Sequence, residues 1–194
     1  MASEEDILTR YRVPRHRLTV RDYHRMADAG ILGRDDRVEL FDGQIVVKPR
    51  ISPRHAVFTD TLARTLIQTF AGRAGVRIKC PVVLDDFSEP EPDGALLRPP
   101  RERYRDAHPR PDDVFLLIEL SDATLAADRG VKLELYARAG VREVWIVDLT
   151  TNTVLVHRDP AGAAYRSVVR VDASGVLEVE ALPGPTIPVS ALFF

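Results

Sequence analysis

Two runs of apolar residues, Val114 to Leu120 and Val144 to Val147, flank an interval long enough for one helix, and the first run is broken only by Glu119. Uninterrupted runs of this kind mark strands covered on both faces, and the interval predicts a helix from about Ala127 to Ala139 closed by Gly140. The expected unit is strand, crossover helix, strand, with parallel pairing and a right-handed crossover.

The flanking segments give a mixed picture. Thr19 with Asp22 three residues on forms a capping pair, and Val20, Tyr23, Met26 and Ala27 keep helical spacing as far as Ala29, before Gly30. In RVELFDGQIVVKP, alternation on both sides of Asp42-Gly43 predicts a hairpin in which Glu39 and Phe41 share one face. Ser52-Pro53 opens a helix from about Arg54 to Ala71, with Val57, Leu62, Leu66 and Phe70 roughly on one side. Clean alternation from Val76 to Leu84 predicts one half-buried strand with Arg77 and Lys79 on its polar face.

Pro90 and Pro92 then force an extended chain that places Glu89, Glu91 and Asp93 on one side, and Gly94 to Leu97 reads as a short strand. Arg98 to Asp112, rich in proline and arginine, reads as a mobile basic loop. Further strands are expected at Thr153 to Arg158, Tyr165 to Val171 and Val176 to Val179. Residues 1–18 show no period and read as an amino-terminal arm, and 19–194 as a single domain without repeats. Strands and helices together predict an α/β fold.

At 194 residues, 45% of them hydrophobic, the chain is long enough to bury a real core. The net charge of -2 argues against a strongly basic, sequence-independent nucleic-acid coat but leaves room for a local positive groove. A single cysteine, Cys80, excludes an internal disulfide and any multi-cysteine zinc site, and suits a reducing compartment. With no apolar run of membrane-spanning length and no signal-peptide core, a cytoplasmic protein is expected. Lys48, Lys79 and Lys132 are the only lysines among 27 basic residues, which singles each of them out.

Candidate chemistry starts at Glu119. A carboxylate among apolar residues costs several kcal/mol unless a cation or hydrogen-bond donors meet it; otherwise it lies at an exposed strand end or pairs with an arginine. Lys132 shares helical spacing with Tyr136 and Ala139, which would aim it at the sheet. The stripe Val131, Leu135, Ala139 would instead tilt it outward, and the pattern leaves both open. Asp93 and Glu119, at separate strand ends, form a pair of the kind that holds a hard divalent ion. No histidine pair has metal-ligand spacing, and neither a Walker loop nor a G-x-S-x-G elbow is present.

The ordered segments RVELFDGQIV, SPRHAVFTDTLARTL, EPD and FLLIELSDATLAADRGVKLELYARAGVREVWIVD resemble the Uma-type putative restriction endonuclease family of the PD-(D/E)XK nuclease superfamily, over about Thr19 to Ala191. The resemblance implies a restriction-endonuclease-like core, a mixed sheet with flanking helices, here with extra carboxyl-terminal strands, and a Mg²⁺- or Mn²⁺-dependent site that hydrolyses DNA phosphodiesters through a metal-activated water. It maps the P-D pair onto Pro92-Asp93, the following metal-binding acid onto Glu119 and the additional amino-terminal acid onto Glu39. Many superfamily members carry a lysine two residues after the second acid; that position here is Ser121, so Lys132 on the next helix becomes the candidate catalytic lysine, with Gln44 a lesser possibility. Arg54 and His55, in an SPRHA-like segment, and Arg101 and Arg103 are candidate nucleic-acid contacts. DNA is the expected partner, and Leu192-Phe193-Phe194 suggests a homodimer. The displaced lysine also motivates an alternative: a catalytically silent nuclease-fold protein that binds DNA or a protein partner.

Overall fold

The structure, a computed structural model, describes residues 10–33, 35–122 and 126–193, the side chains of 126–129 excepted. Its centre is a six-stranded sheet in the order β3 (Gly75–Ile78), β4 (Gly94–Leu97), β5 (Val114–Ser121), β6 (Glu143–Asp148), β7 (Thr153–Ala161), β8 (Ala164–Val171). Only β5 and β6 run parallel, with Glu119 opposite Ile146, and every other pair is antiparallel. The expected crossover unit is therefore present.

The pleat divides β5 between two cores. Leu116, Ile118 and Leu120 face α2 (Pro53–Phe70), whose Phe58, Leu62, Leu66 and Phe70 are all buried against them. Each such side chain contributes on the order of 1.5–3 kcal/mol. Leu117 faces the opposite side, together with Leu135 and Tyr136 of α3 (Ala126–Arg138) and Phe41 of the hairpin β1 (Val38–Phe41) and β2 (Gln44–Val47). Alternation gives Glu119 to this second face.

Local chemistry fixes the remaining elements. Thr19 caps α1 (Val20–Asp28) in the reciprocal manner its pairing with Asp22 predicts, and Ser52 caps α2 through the His55 amide. Asp42 and Gly43 both have positive φ, 49° and 80°, as a tight hairpin turn needs. Strands β9 (Val176–Glu178) and β10 (Thr186–Pro188) form a separate antiparallel pair. They carry Leu177 and Ile187 beneath α2.

Two expectations change. The strand expected from Val76 to Leu84 ends at Ile78, because Lys79 turns to φ 47° and takes the chain out of the sheet. The basic stretch Arg98 to Asp112 contains two 3₁₀ turns, Arg101–Tyr104 and Pro111–Asp113, with Tyr104 buried and its hydroxyl donating to Arg98 O at 2.7 Å. Of the arm, residues 1–9 lie outside the described residues, but Leu18 N donates to Gly43 O at 2.9 Å and Arg17 pairs with Asp42, so its end is laid on the hairpin. At the other terminus Leu192 is buried and the Phe193 ring stands edge-on to Phe58, centroids 6.0 Å apart, so both pack onto their own domain; Phe194 lies outside the described residues. No helix among the described residues is long and apolar enough to cross a membrane.

Candidate active site

Three acids reach one cleft from three segments. Glu39 comes from β1, on the inward face of the hairpin, and is 3% exposed. Its position is set by the strip that follows Asp86: Glu89 N donates to Leu40 O at 2.8 Å, and Glu91 N donates to Glu39 Oε1 at 2.5 Å. Asp93 stands directly before β4, whose register puts Gly94 opposite Ile118, so Asp93 arrives beside the carboxyl end of β5. There its Oδ2 accepts from Leu120 N at 2.8 Å. Glu119 lies on that same end of β5 and faces α3.

Lys132 answers the question its spacing left open. Val131 is half exposed, whereas Lys132 is 6% exposed, with Nζ 3.1 Å from Glu39 Oε1 and 3.5 Å from Glu119 Oε1. One turn on, the Tyr136 hydroxyl donates to Glu119 Oε1 at 2.5 Å. Asp93 has separate partners: Lys79 Nζ at 2.5 Å and His55 Nε2 at 3.0 Å, both on Oδ1. Leaving the sheet at Lys79 is what brings that ammonium to the cleft.

The environment sets the charge states apart. Burial pushes the Glu119 carboxyl upward, opposed by Lys132 and reinforced by the neighbouring Asp93. Glu39 is also raised by burial, with Lys132 pulling against it. For Asp93 burial acts in the same sense, but His55 and Lys79 outweigh it and hold the carboxyl below its ordinary value. Burial alone would strip Lys132 of its proton; Glu119 and Glu39 overcome that and raise it instead. The arrangement has one ammonium serving two buried acids and a second ammonium serving the third.

A divalent ion fits the donor chemistry. The acids offer hard oxygen ligands, and Glu119 shares its one ammonium with Glu39. Among the described residues no group of three His, Cys, Asp or Glu side chains is disposed to hold one metal ion, so the acids share a cleft without forming a closed cage. Mg²⁺ is commonly bound through one or two carboxylates together with substrate phosphates, which suits an incomplete protein site.

Glu39, Asp93, Glu119 and Lys132 thus line one cleft of about 80 Å³, with His55 and Lys79. His55, a candidate nucleic-acid contact, lines the cleft and is buried against Asp93. Arg54 Nη2 donates to Leu149 O at 2.6 Å, Arg101 pairs with Glu102 at 3.2 Å and Arg103 with Asp113 at 2.9 Å. Each of these three arginines already has a partner within the protein. Gln44 sits at the hairpin tip, exposed, 3.5 Å from Arg15 Nη1, away from the cleft. The three acids of the proline-flanked strip do not all face one way: Glu91 and Asp93 line the cleft, but Glu89 turns to His24 at 2.8 Å.

Lys79, Tyr136 and the second role of His55 escaped the sequence reading. One signal was available, the scarcity of lysine, because all three lysines of the chain line this cleft. A larger groove of about 910 Å³ runs between α1 and residues 104–110, but its Asp85 and Asp86 are exposed. Convergence of buried charge, not volume, marks the site.

Residues 20–190 match the model of the Uma2 family, described as "Putative restriction endonuclease". No curated protein matches the sequence. The crystal structure of a putative nuclease belonging to DUF820, from Anabaena variabilis ATCC 29413, superposes with a TM-score of 0.71 over 91% of this chain and 97% of that one, at 16% identity. At that identity the likeness speaks for the fold alone.

Proposed function

The chain belongs to the Uma2 family of putative restriction endonucleases, and from that premise we propose that it is a Mg²⁺- or Mn²⁺-dependent endonuclease hydrolysing DNA phosphodiester bonds. The observation that carries this reading is the burial of Glu39, Asp93 and Glu119, from three separate segments, around one cleft that two ammonium groups enter. A buried acid elsewhere shows the contrast. Glu143, 1% exposed, accepts from Trp145 Nε1, Arg158 Nη2 and Glu180 N, and is fully accounted for by the fold.

Glu39, Asp93 and Glu119 are the groups that would hold the ion; when bound, a divalent ion supplies a polarised water and positive charge for the phosphate oxygens. Lys132 fixes the spacing of Glu39 and Glu119, and its charge offsets the negative charge that grows on the attacked phosphate. Lys79 and His55 keep Asp93 ionised and hold its Oδ1. Tyr136 sets the orientation of Glu119.

The test is conversion of supercoiled plasmid to nicked or linear forms by the wild-type chain with MgCl₂, against the same reaction with EDTA and with Glu119→Ala. Cleavage is expected only in the first. Cleavage that persists in Glu119→Ala overturns the assignment.

One observation favours a second reading, a nuclease-fold protein that binds DNA or a protein partner without cutting: each acid already faces a protein cation, Lys132 for Glu39 and Glu119, Lys79 for Asp93. Calorimetric titration with MnCl₂ separates the two readings, since absence of binding together with retained DNA affinity supports the silent protein.

A further inference from the structure

The rim of the cleft carries more positive charge than its acids consume. Lys48 is committed to Glu91 at 2.5 Å, Lys79 to Asp93, and Lys132 to Glu39 and Glu119. Arg37 and Arg50 line the same cleft, and neither guanidinium makes a hydrogen bond or ion pair with any described residue. Arg37 lies two residues before Glu39 on an extended chain, which gives both side chains the same side of the hairpin. Its main-chain carbonyl accepts from Lys48 N at 2.7 Å, so the hairpin's open end fixes its backbone, and its side chain is half-buried.

A guanidinium drawn partly out of water beside carboxylates, yet paired with none, is an anion receptor in waiting. Its fork of N–H donors matches two phosphate oxygens at once. The cleft, at about 80 Å³, is well below the ~300 Å³ of a small-molecule pocket. It admits a phosphate group while the rest of a strand stays on the rim. Among the described residues that line the cleft, Lys48, His55, Lys79 and Lys132 are each held by an acid, which leaves Arg37 and Arg50 as its uncommitted cations.

We propose that Arg37, with Arg50 beside it, receives a backbone phosphate next to the one held at the carboxylates, and so positions the strand across the site. This rests on the nuclease reading and adds to it the residues that grip the substrate.

The experiment measures binding apart from cutting. Fluorescence anisotropy of a short labelled DNA duplex, in CaCl₂, is recorded over a salt series for the full wild-type chain and for Arg37→Gln, Arg37→Lys, Arg50→Gln and Arg166→Gln, with plasmid cleavage followed in MgCl₂. Arg37→Gln is expected to weaken binding about 5–10-fold and to lower the slope of log affinity against log salt by about one, with KM rising more than kcat falls. Arg37→Lys should lie between it and the wild type, Arg50→Gln should show a smaller loss in the same direction, and Arg166→Gln, on β8 outside the cleft, should behave as wild type. Arg50 is exposed, so its variant keeps the test alive should Arg37→Gln melt early. A wild type that binds and cuts, with Arg37→Gln and Arg50→Gln indistinguishable from it, overturns this inference and leaves the nuclease reading intact. A wild type that neither binds nor cuts overturns both.

Discussion

The Tyr136 hydroxyl donates a 2.5 Å hydrogen bond to Glu119 Oε1, and both side chains are out of water. Lys132, one turn earlier on the same helix, reaches the same oxygen at 3.5 Å. A neutral donor and a cation therefore share one acceptor, and α3 rather than the β5 strand itself supplies what Glu119 needs.

Tyr136→Phe keeps the ring and removes only the donor. A buried acid losing its hydrogen bond costs about 1–3 kcal/mol. Urea unfolding should show that loss with an unchanged m-value, and a difference below about 0.5 kcal/mol would mean the bond is not made in solution.

Lys132→Met leaves Glu39 and Glu119 buried with their common cation gone. The expected penalty at neutral pH is about 3–5 kcal/mol. Both acids have folded pKa values raised by burial, so without the ammonium the folded state takes up protons more readily than the unfolded chain, and the penalty should shrink as pH falls from 8 towards 6. Adding Glu119→Gln should recover part of it, because the double variant no longer buries two uncompensated charges. A penalty that stays constant with pH would contradict this coupling.

The sequence made the local devices legible: the Thr19 and Ser52 caps, the Asp42-Gly43 turn and the strand, helix, strand unit around Glu119 depend on neighbours within a few positions. Those signals bring Glu119 and Lys132 to attention, whereas the motif roles of Glu39 and Asp93 came with the family resemblance. What stayed hidden was the exit of the chain at Lys79. Alternation of apolar residues continues through Leu84, and nothing resembling Gly, Asn or Asp marks the turn at φ 47°. The pairing of Lys79 and His55 with Asp93 follows from tertiary placement and has no local signature. The rarity of lysine was the usable hint, and it pointed at the cleft rather than at any one role.

Gly43 tests the docking of the arm. A Cβ built there would lie 2.6 Å from Arg17 Cβ and 2.9 Å from its Cα, and the residue has φ 80°. The obstacle is largely backbone, so it cannot be relieved by a rotamer change. Gly43→Ala should cost about 1–3 kcal/mol and release the Arg17–Asp42 pair, read as faster amide exchange at Leu18, whose N–H donates to Gly43 O. An unchanged exchange rate at Leu18 would mean that the arm is not held there.

His157 gives the molecule an acid sensitivity away from the cleft. It is 7% exposed in β7, its Nε2 is buried with no hydrogen-bond partner among the described residues, and its ring stands edge-on to Tyr165 with centroids 5.7 Å apart. Burial lowers its pKa from the ordinary 6.5, so the folded protein keeps the ring neutral where the unfolded chain has begun to protonate. More protons are then bound by the unfolded state, and stability must fall as pH drops below about 6.5. The contribution is fully present above that value. In His157→Leu, of similar bulk and without the titrating ring, stability between pH 7 and pH 5 should decline less than in the wild type, measured by parallel urea titrations at each pH. Asp93 loses its stabilisation only at lower pH, because its folded pKa is held down, whereas Glu39 and Glu119, raised by burial, titrate alike in both proteins, so the difference between the two curves above pH 5 isolates the imidazole. Parallel curves for the two proteins across that window would show that His157 is hydrated or partnered in solution.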